Sequence, residues 1–189
     1  MKKMKKLTSL LLVLVMSLAL AVPCFAAEPE REVIRLELGE SYTDPETGYT
    51  YSFKPCAGFT EQEILAIRSR TARLATGYAN GKYYYSRGVE INSGRPYTAY
   101  YNADESRGNV FAFKIDSAPS NNIPNHDGTT ISTFADGVHK GVEAYLPCGQ
   151  AGTFEIRSDY GEGIGGNVEM TLEGDPSLWV WYDVYQYRG

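Results

Sequence analysis

Residues 78–115 read YANGKYYYSRGVEINSGRPYTAYYNADESRGNVFAFKI. Apolar and polar side chains alternate through most of this stretch, and clusters of Gly, Pro, Asn or Asp interrupt it every few residues. A period of two sends successive side chains to opposite faces of an extended chain, the signature of half-buried strands. The spacing predicts strands over Tyr83–Ser86, Val89–Asn92, Tyr97–Tyr101 and Val110–Ile115. Asn80-Gly81, just ahead of them, is hairpin chemistry, because a two-residue turn of the right twist needs positive φ at both positions.

The same period extends in both directions. Toward the C-terminus it predicts strands over Ile131–Phe134, Gly141–Leu146, Thr153–Arg157, Val168–Leu172 and Leu178–Tyr187, with a polar loop, DSAPSNNIPNHDGTT, over Asp116–Thr130. Toward the N-terminus, Ile34, Leu36 and Leu38 alternate with Arg35 and Glu37, and Gly39 ends the run. Tyr42–Phe53 reads as a hairpin around Asp44-Pro45-Glu46-Thr47-Gly48, a cluster of turn formers. One segment departs from the pattern. Thr60-Glu61-Gln62-Glu63 is a capping box, and Ile64, Ile67, Thr71 and Leu74 follow at helical spacing. Arg68, Arg70 and Arg73 lie late in this segment, where cations suit the helix dipole. A helix is predicted over Glu61–Ala75. The expectation is a mainly β chain: an antiparallel β-sandwich, jelly-roll- or Ig-like, with one short α-helix near 61–75.

The first 26 residues read as an address rather than as part of that fold. Lys2, Lys3, Lys5 and Lys6 precede the uncharged run Leu7–Val22, and Pro23-Cys24-Phe25-Ala26-Ala27 follows. A basic end, an apolar run and small residues at −3 and −1 describe a secretory signal peptide cleaved after Ala26. The competing reading is a retained anchor, for which 16 apolar residues fall short of the roughly 20 that span a bilayer. Lipidation at Cys24 would need a small residue before it, and Pro23 stands there. The domain reading is therefore a signal peptide over 1–26 and a single secreted β-sandwich domain over 27–189, with no stable membrane insertion after cleavage.

Composition narrows the function. With 43% hydrophobic and 22% charged residues the chain is globular rather than disordered. Four of the 18 Lys and Arg belong to the leader, leaving 14 against 23 Asp and Glu, a net charge of −9. A chain this acidic repels phosphate backbones, so nucleic acid is not an expected partner. Two cysteines remain after cleavage, Cys56 and Cys148. In an oxidising compartment an even pair predicts a disulfide. Closing a loop of about 90 residues, it would contribute roughly 4–5 kcal/mol.

Motifs of catalysis are thin. Gly161, Gly163 and Gly166 spell a G-x-G-x-x-G, but a strand rather than a phosphate-binding helix is expected after it. The two histidines, His126 and His139, are too few for a zinc site of three or four ligands, and no serine sits in a nucleophile elbow. Asp116, Asp127 and Asp136, with Asn121, Asn122 and Asn125, supply oxygen ligands around the long loop, but not in the spacing of a calcium loop. No cofactor, metal site or catalytic residue is assigned.

The most informative feature is aromatic. All 15 tyrosines follow the leader, and SLWVWYDVYQY over 177–187 closes the chain. As a strand it places Leu178, Val180, Tyr182 and Val184 on one side and Trp179, Trp181, Tyr185 and Tyr187 on the other, interrupted by Asp183. Either the strand is central and buried on both faces, or the second face is an aromatic platform that binds sugar rings or a partner's side chains. The functional expectation is a secreted, non-catalytic binding protein whose ligand is a glycan or an extracellular protein partner, held by Trp179, Trp181, Tyr185 and Tyr187. Two alternatives stand beside it: a small secreted hydrolase acting on cell-wall or polysaccharide substrates, and a structural or self-associating extracellular protein.

Overall fold

The computed structural model describes residues 33–69, 76–92, 94–117, 128–135, 141–158, 162–175 and 178–189. In chain order the strands are β1 (Val33–Leu36), β2 (Ser41–Thr43), β3 (Tyr49–Pro55), β4 (Gly77–Ala79), β5 (Lys82–Asn92), β6 (Tyr97–Ala103), β7 (Val110–Ser117), β8 (Thr129–Ala135), β9 (Gly141–Leu146), β10 (Gln150–Ser158), β11 (Gly166–Gly174) and β12 (Trp179–Tyr187). A helix, α1 (Glu61–Arg68), follows β3, and a 3-10 turn, Glu105–Arg107, joins β6 to β7.

Local chemistry accounts for the turns. The Asp44 carboxylate accepts the Glu46 N–H at 3.1 Å and the Thr47 hydroxyl at 2.9 Å, closing the β2–β3 hairpin. Asn80 and Gly81 have φ of 50° and 73°, the left-handed pair that a two-residue turn between β4 and β5 requires. The capping box is formed as read: Thr60 Oγ1 accepts the Glu63 N–H at 3.2 Å, and Glu63 Oε2 accepts the Thr60 N–H at 2.7 Å. The helix ends at a Ser69 C-cap; the rest of the expected helix, 70–75, lies outside the described residues.

From β5 onward the chain changes sheet at every connection but β8–β9. β5, β7, β10 and β12 belong to a seven-stranded sheet, and β6, β8, β9 and β11 to a five-stranded one. Their hydrogen-bonded orders, β5-β12-β7-β10 and β6-β11-β8-β9, are the interlocked Greek keys of a jelly roll. β2, β3 and β4 widen the larger sheet at its two edges. β1 pairs with β9 in parallel, the one parallel pairing among the described residues. The two strands expected on either side of Arg87-Gly88 are a single strand, β5, and the break is a bulge against β12.

One core lies between the sheets. Phe113 sits near its centre, 5.3 Å from Phe111, 6.1 Å from Tyr101 and 6.4 Å from Phe154 between ring centroids. Leu36, Ile131, Val142, Leu146, Val168, Met170 and Leu172 pack onto these rings from the smaller sheet. Gln186 is fully buried and fully bonded. Its Nε2 donates to the carbonyls of Asp104, Gly108 and Ile164 at 3.0, 2.7 and 2.8 Å, and its Oε1 accepts the Tyr85 hydroxyl at 2.6 Å. Of the G-x-G-x-x-G stretch, Gly163 and Gly166 border this junction, and Gly161 lies outside the described residues. A Cβ at Gly163 would collide with the Glu105 backbone, and Gly166 opens β11.

The expected disulfide is absent: Cys56 and Cys148 are both free. The two thiols meet different surroundings. Cys148, in the turn before β10, packs against the core, whereas Cys56 lines a surface groove with Gly58, Asp116 and Gln150. Burial, with the Asp175 carboxylate, pushes the Cys148 thiol above its ordinary range, so it is not an activated nucleophile. The expected signal peptide, 1–26, lies outside the described residues.

Candidate functional site

β12 runs through the middle of the larger sheet, hydrogen-bonded to β5 on one side and β7 on the other. Its even-numbered side chains face the core, and its odd-numbered ones face away from it. On that outer face, register sets Trp181 between Asp116 and Glu90, Asp183 beside Lys114, Tyr185 between Ala112 and Tyr84, and Tyr187 between Val110 and Lys82. Trp179 and Tyr187, at the strand ends, are half-buried. Trp181 and Tyr185 are only 2% and 7% exposed, so the four expected ligand-binding residues do not form an open platform. The surface is aromatic, but it is covered.

Charged side chains cover the lower part. Lys82 Nζ lies 4.1 Å from the Tyr185 ring centroid and 5.1 Å from that of Tyr187. Arg87 lies 4.7 Å over Tyr84, whose ring is 5.4 Å from Tyr185. Each such cation–ring contact contributes about 0.5–1 kcal/mol where water reaches it. Glu155 joins the row, accepting the Tyr187 hydroxyl at 2.8 Å and Lys54 Nζ at 2.8 Å. Burial works to raise the Glu155 carboxyl, but Lys54 and Tyr187 outweigh it and hold it below its ordinary value. Burial and the neighbouring Glu155 push Tyr187 up to about 12, so its hydroxyl stays a neutral donor.

A roof covers the upper part. The segment entering α1 is tied to the sheet by the Phe59 N–H, which donates to Asp116 Oδ2 at 2.6 Å, and by Lys114 Nζ, 4.2 Å over the Phe59 ring. At the other end of the helix, Arg68 lies 5.4 Å over Trp181 and pairs with Glu90 at 3.0 Å. Between roof and sheet is a cavity of about 90 Å³, lined by Phe59, Glu63, Ile67, Arg87 and Asp183 among others. Asp183 Oδ1 accepts the N–H of Gly88, turned toward it by the bulge, at 2.5 Å. Burial raises the Asp183 carboxyl against the pull of that N–H, Lys114 and Arg87, and Glu63 adds to the rise. Burial likewise raises Asp116, opposed by the Phe59 N–H and Lys114. The Trp181 indole N–H is buried and has no hydrogen-bond acceptor among the described residues.

Asp183, Lys114 and Arg87 were not among the expected site residues, and Asp116 was weighed only as an oxygen ligand beside the long loop. Asp183 was visible as the one interruption of the aromatic row, and the bulge at Gly88 that engages it was not. His126, His139, Asp127, Asp136, Asn121, Asn122 and Asn125 lie outside the described residues. Among the described residues no group of three or more His, Cys, Asp or Glu is placed to hold a metal ion, and no helix is long and apolar enough to cross a membrane. No protein-family model matches the chain, and no curated protein is similar to it.

Proposed function

We propose that the chain is a secreted, non-catalytic binding protein whose ligand is a glycan, taken up on the outer face of the seven-stranded sheet. The observation that carries this reading is the outer row of β12, where Trp179, Trp181, Tyr185 and Tyr187 alternate with carboxylates and cations from both neighbouring strands. Flat rings match the apolar faces of sugars, and interleaved carboxylates, ammonium and guanidinium groups match their hydroxyls. A jelly roll by itself supports no particular ligand, because the fold hosts many functions. Affinity electrophoresis through gels cast with soluble xylan, mannan or β-glucan tests the reading. Retardation in at least one gel is expected, with Trp179→Ala/Tyr187→Ala weakening it at least tenfold; unimpeded migration in all of them contradicts it. Amino-terminal sequencing of protein recovered outside the cell tests export, with Ala27 as the expected first residue.

One observation favours a hydrolase as a second reading. Asp116 and Asp183 are buried carboxylates on neighbouring strands of one face, both raised above their ordinary range by burial. A carboxyl raised by burial is suited to general-acid work in glycoside cleavage. Release of reducing ends from the same polysaccharides, abolished by Asp183→Asn, would replace binding with hydrolysis.

A further inference from the structure

We infer that the Tyr187 end of the outer row is a subsite for an acidic sugar, an isolated carboxylate-bearing residue on an otherwise neutral polysaccharide. The Tyr187 ring stacks on the sugar, and Lys82 and Arg157, on either side of that ring, receive its carboxylate. The inference rests on the glycan-binding reading of this face and adds the chemical class of one ligand residue.

The lie of the Tyr187 side chain supplies the stacking face. Tyr187 stands on β12, yet its hydroxyl donates at 2.8 Å to Glu155 on β10, two strands away across the sheet. Strands are about 4.8 Å apart, so the side chain must lean over β7. Val110 and Ala112 lie beneath it there, both 0% exposed. A ring laid over a sheet turns one face down and the other outward, and Tyr187 is half-buried. Such a face matches the apolar side of a sugar ring. Trp181 and Tyr185, at 2% and 7% exposed, offer no comparable surface.

Charge selects the sugar. In register, Tyr187 stands between Lys82 on β5 and, beyond Val110, Arg157 on β10. Lys82 Nζ lies 5.1 Å from the Tyr187 centroid. The carboxylate beside them, Glu155, is already matched by the Tyr187 hydroxyl and by Lys54 Nζ. Neither Lys82 nor Arg157 forms an ion pair among the described residues. Three cations, Lys54, Lys82 and Arg157, thus stand around one carboxylate on a chain whose net charge is −5. Tyr187 adds no negative charge, because burial and Glu155 keep its hydroxyl protonated.

The rest of the face limits how many acidic residues fit. Further along the row Trp181 lies between Asp116 and Glu90, with Asp183 beyond it. A polysaccharide acidic at every ring would set carboxylates against these, and the chain as a whole would repel it. A single carboxylate meets the local cations at short range, where solvent ions screen little.

The full protein is titrated with glucuronoxylan, glucuronate-bearing arabinogalactan and xanthan, each before and after carboxyl reduction. Reduction turns each uronate into the neutral sugar and leaves the linkages in place. At least one polysaccharide should bind about fivefold or more tightly before reduction, the scale of one charge pair reached by water. In Lys82→Gln/Arg157→Gln that ratio should fall to about one. Being read within one variant, the ratio is not imitated by a general loss of affinity. In the wild type, raising NaCl from about 50 to 500 mM should also shrink it. Polygalacturonate, acidic at every ring, should bind more weakly than the best of the three. Equal binding before and after reduction, or binding of neutral polysaccharides alone, overturns the acidic subsite and leaves the glycan-binding reading intact. No binding of any polysaccharide, neutral or acidic, removes both. A ratio that survives in the double variant, or that salt does not move, overturns the roles of Lys82 and Arg157. Tighter binding of polygalacturonate overturns the restriction to isolated carboxylates.

Discussion

Along β12, the side chains facing the smaller sheet and those facing α1 are almost equally withdrawn from water, yet different forces hold them. On the inner side, Val180, Tyr182, Val184 and Gln186 are 0–1% exposed and locked by apolar packing and by a saturated amide. On the outer side, Trp181, Asp183 and Tyr185 are 2%, 8% and 7% exposed beneath Arg68, Phe59, Lys114 and Lys82. Low exposure therefore has two meanings in one strand. The inner face is sealed by the fold itself, and the outer face is covered by hydrogen bonds, an ion pair and cation–ring contacts from charged side chains.

Substitutions should separate the faces by size of effect. Gln186→Ala removes the amide shared by the Asp104, Gly108 and Ile164 carbonyls, the Tyr85 hydroxyl and the Asp104 N–H, of which the Asp104 and Gly108 carbonyls keep the Arg107 and Ile164 N–H groups. Unsatisfied buried groups are expensive, and a loss of about 3–5 kcal/mol is expected from urea unfolding. Val184→Ala, at a fully buried position, should cost about 2–3 kcal/mol through lost burial and the cavity left behind. Arg68→Ala on the outer side should cost under about 1 kcal/mol, since the Arg68 side chain is 46% exposed and its ion pair is screened by solvent. An Arg68 cost comparable to that of Val184 would erase the distinction between the faces.

The smallest effect is in the pH profile. Asp116 and Asp183 bind protons more tightly in the fold than in the unfolded chain, because burial raises them. Their protonation stabilises the fold as pH falls, fully below the unfolded aspartate value of about 3.9, and this gain is lost as pH rises through their raised folded values. Glu155 and Glu63 act in the opposite sense. Both are held low, Glu63 chiefly by the Thr60 N–H, and their contribution is lost as pH falls through those lowered values. Replacing Asp116 and Asp183 with Asn removes only the first pair. The double variant should lose more Tm than the wild type between pH 7 and pH 4; an equal loss would mean that neither aspartate is perturbed.

The inner face was legible in the sequence, and the outer one only in part. Alternation in Leu178–Tyr187 separated the two sides of β12, and the capping box at Thr60 located the start of the helix. Strand order was hidden, because period-two patterns do not state which strands pair; the jelly roll emerged from the register. The pattern also had no means of placing α1 over Trp181, since the residues that bring it there, Arg68 and Phe59, are reached across 113 and 122 positions of sequence. Cys56 and Cys148 misled for a related reason. Their even number matched the expectation of export, but one thiol packs against the core and the other lines a surface groove.

Acrylamide quenching of the ligand-free protein tests most directly whether α1 and Arg68 cover the outer face of β12 at Trp181 while leaving its end at Trp179 open. The account predicts two populations, a readily quenched, red-shifted Trp179 and a protected, blue-shifted Trp181, with Trp179→Phe abolishing the first and Trp181→Phe the second. A single population, with both indoles equally open to quencher or equally closed, would contradict it.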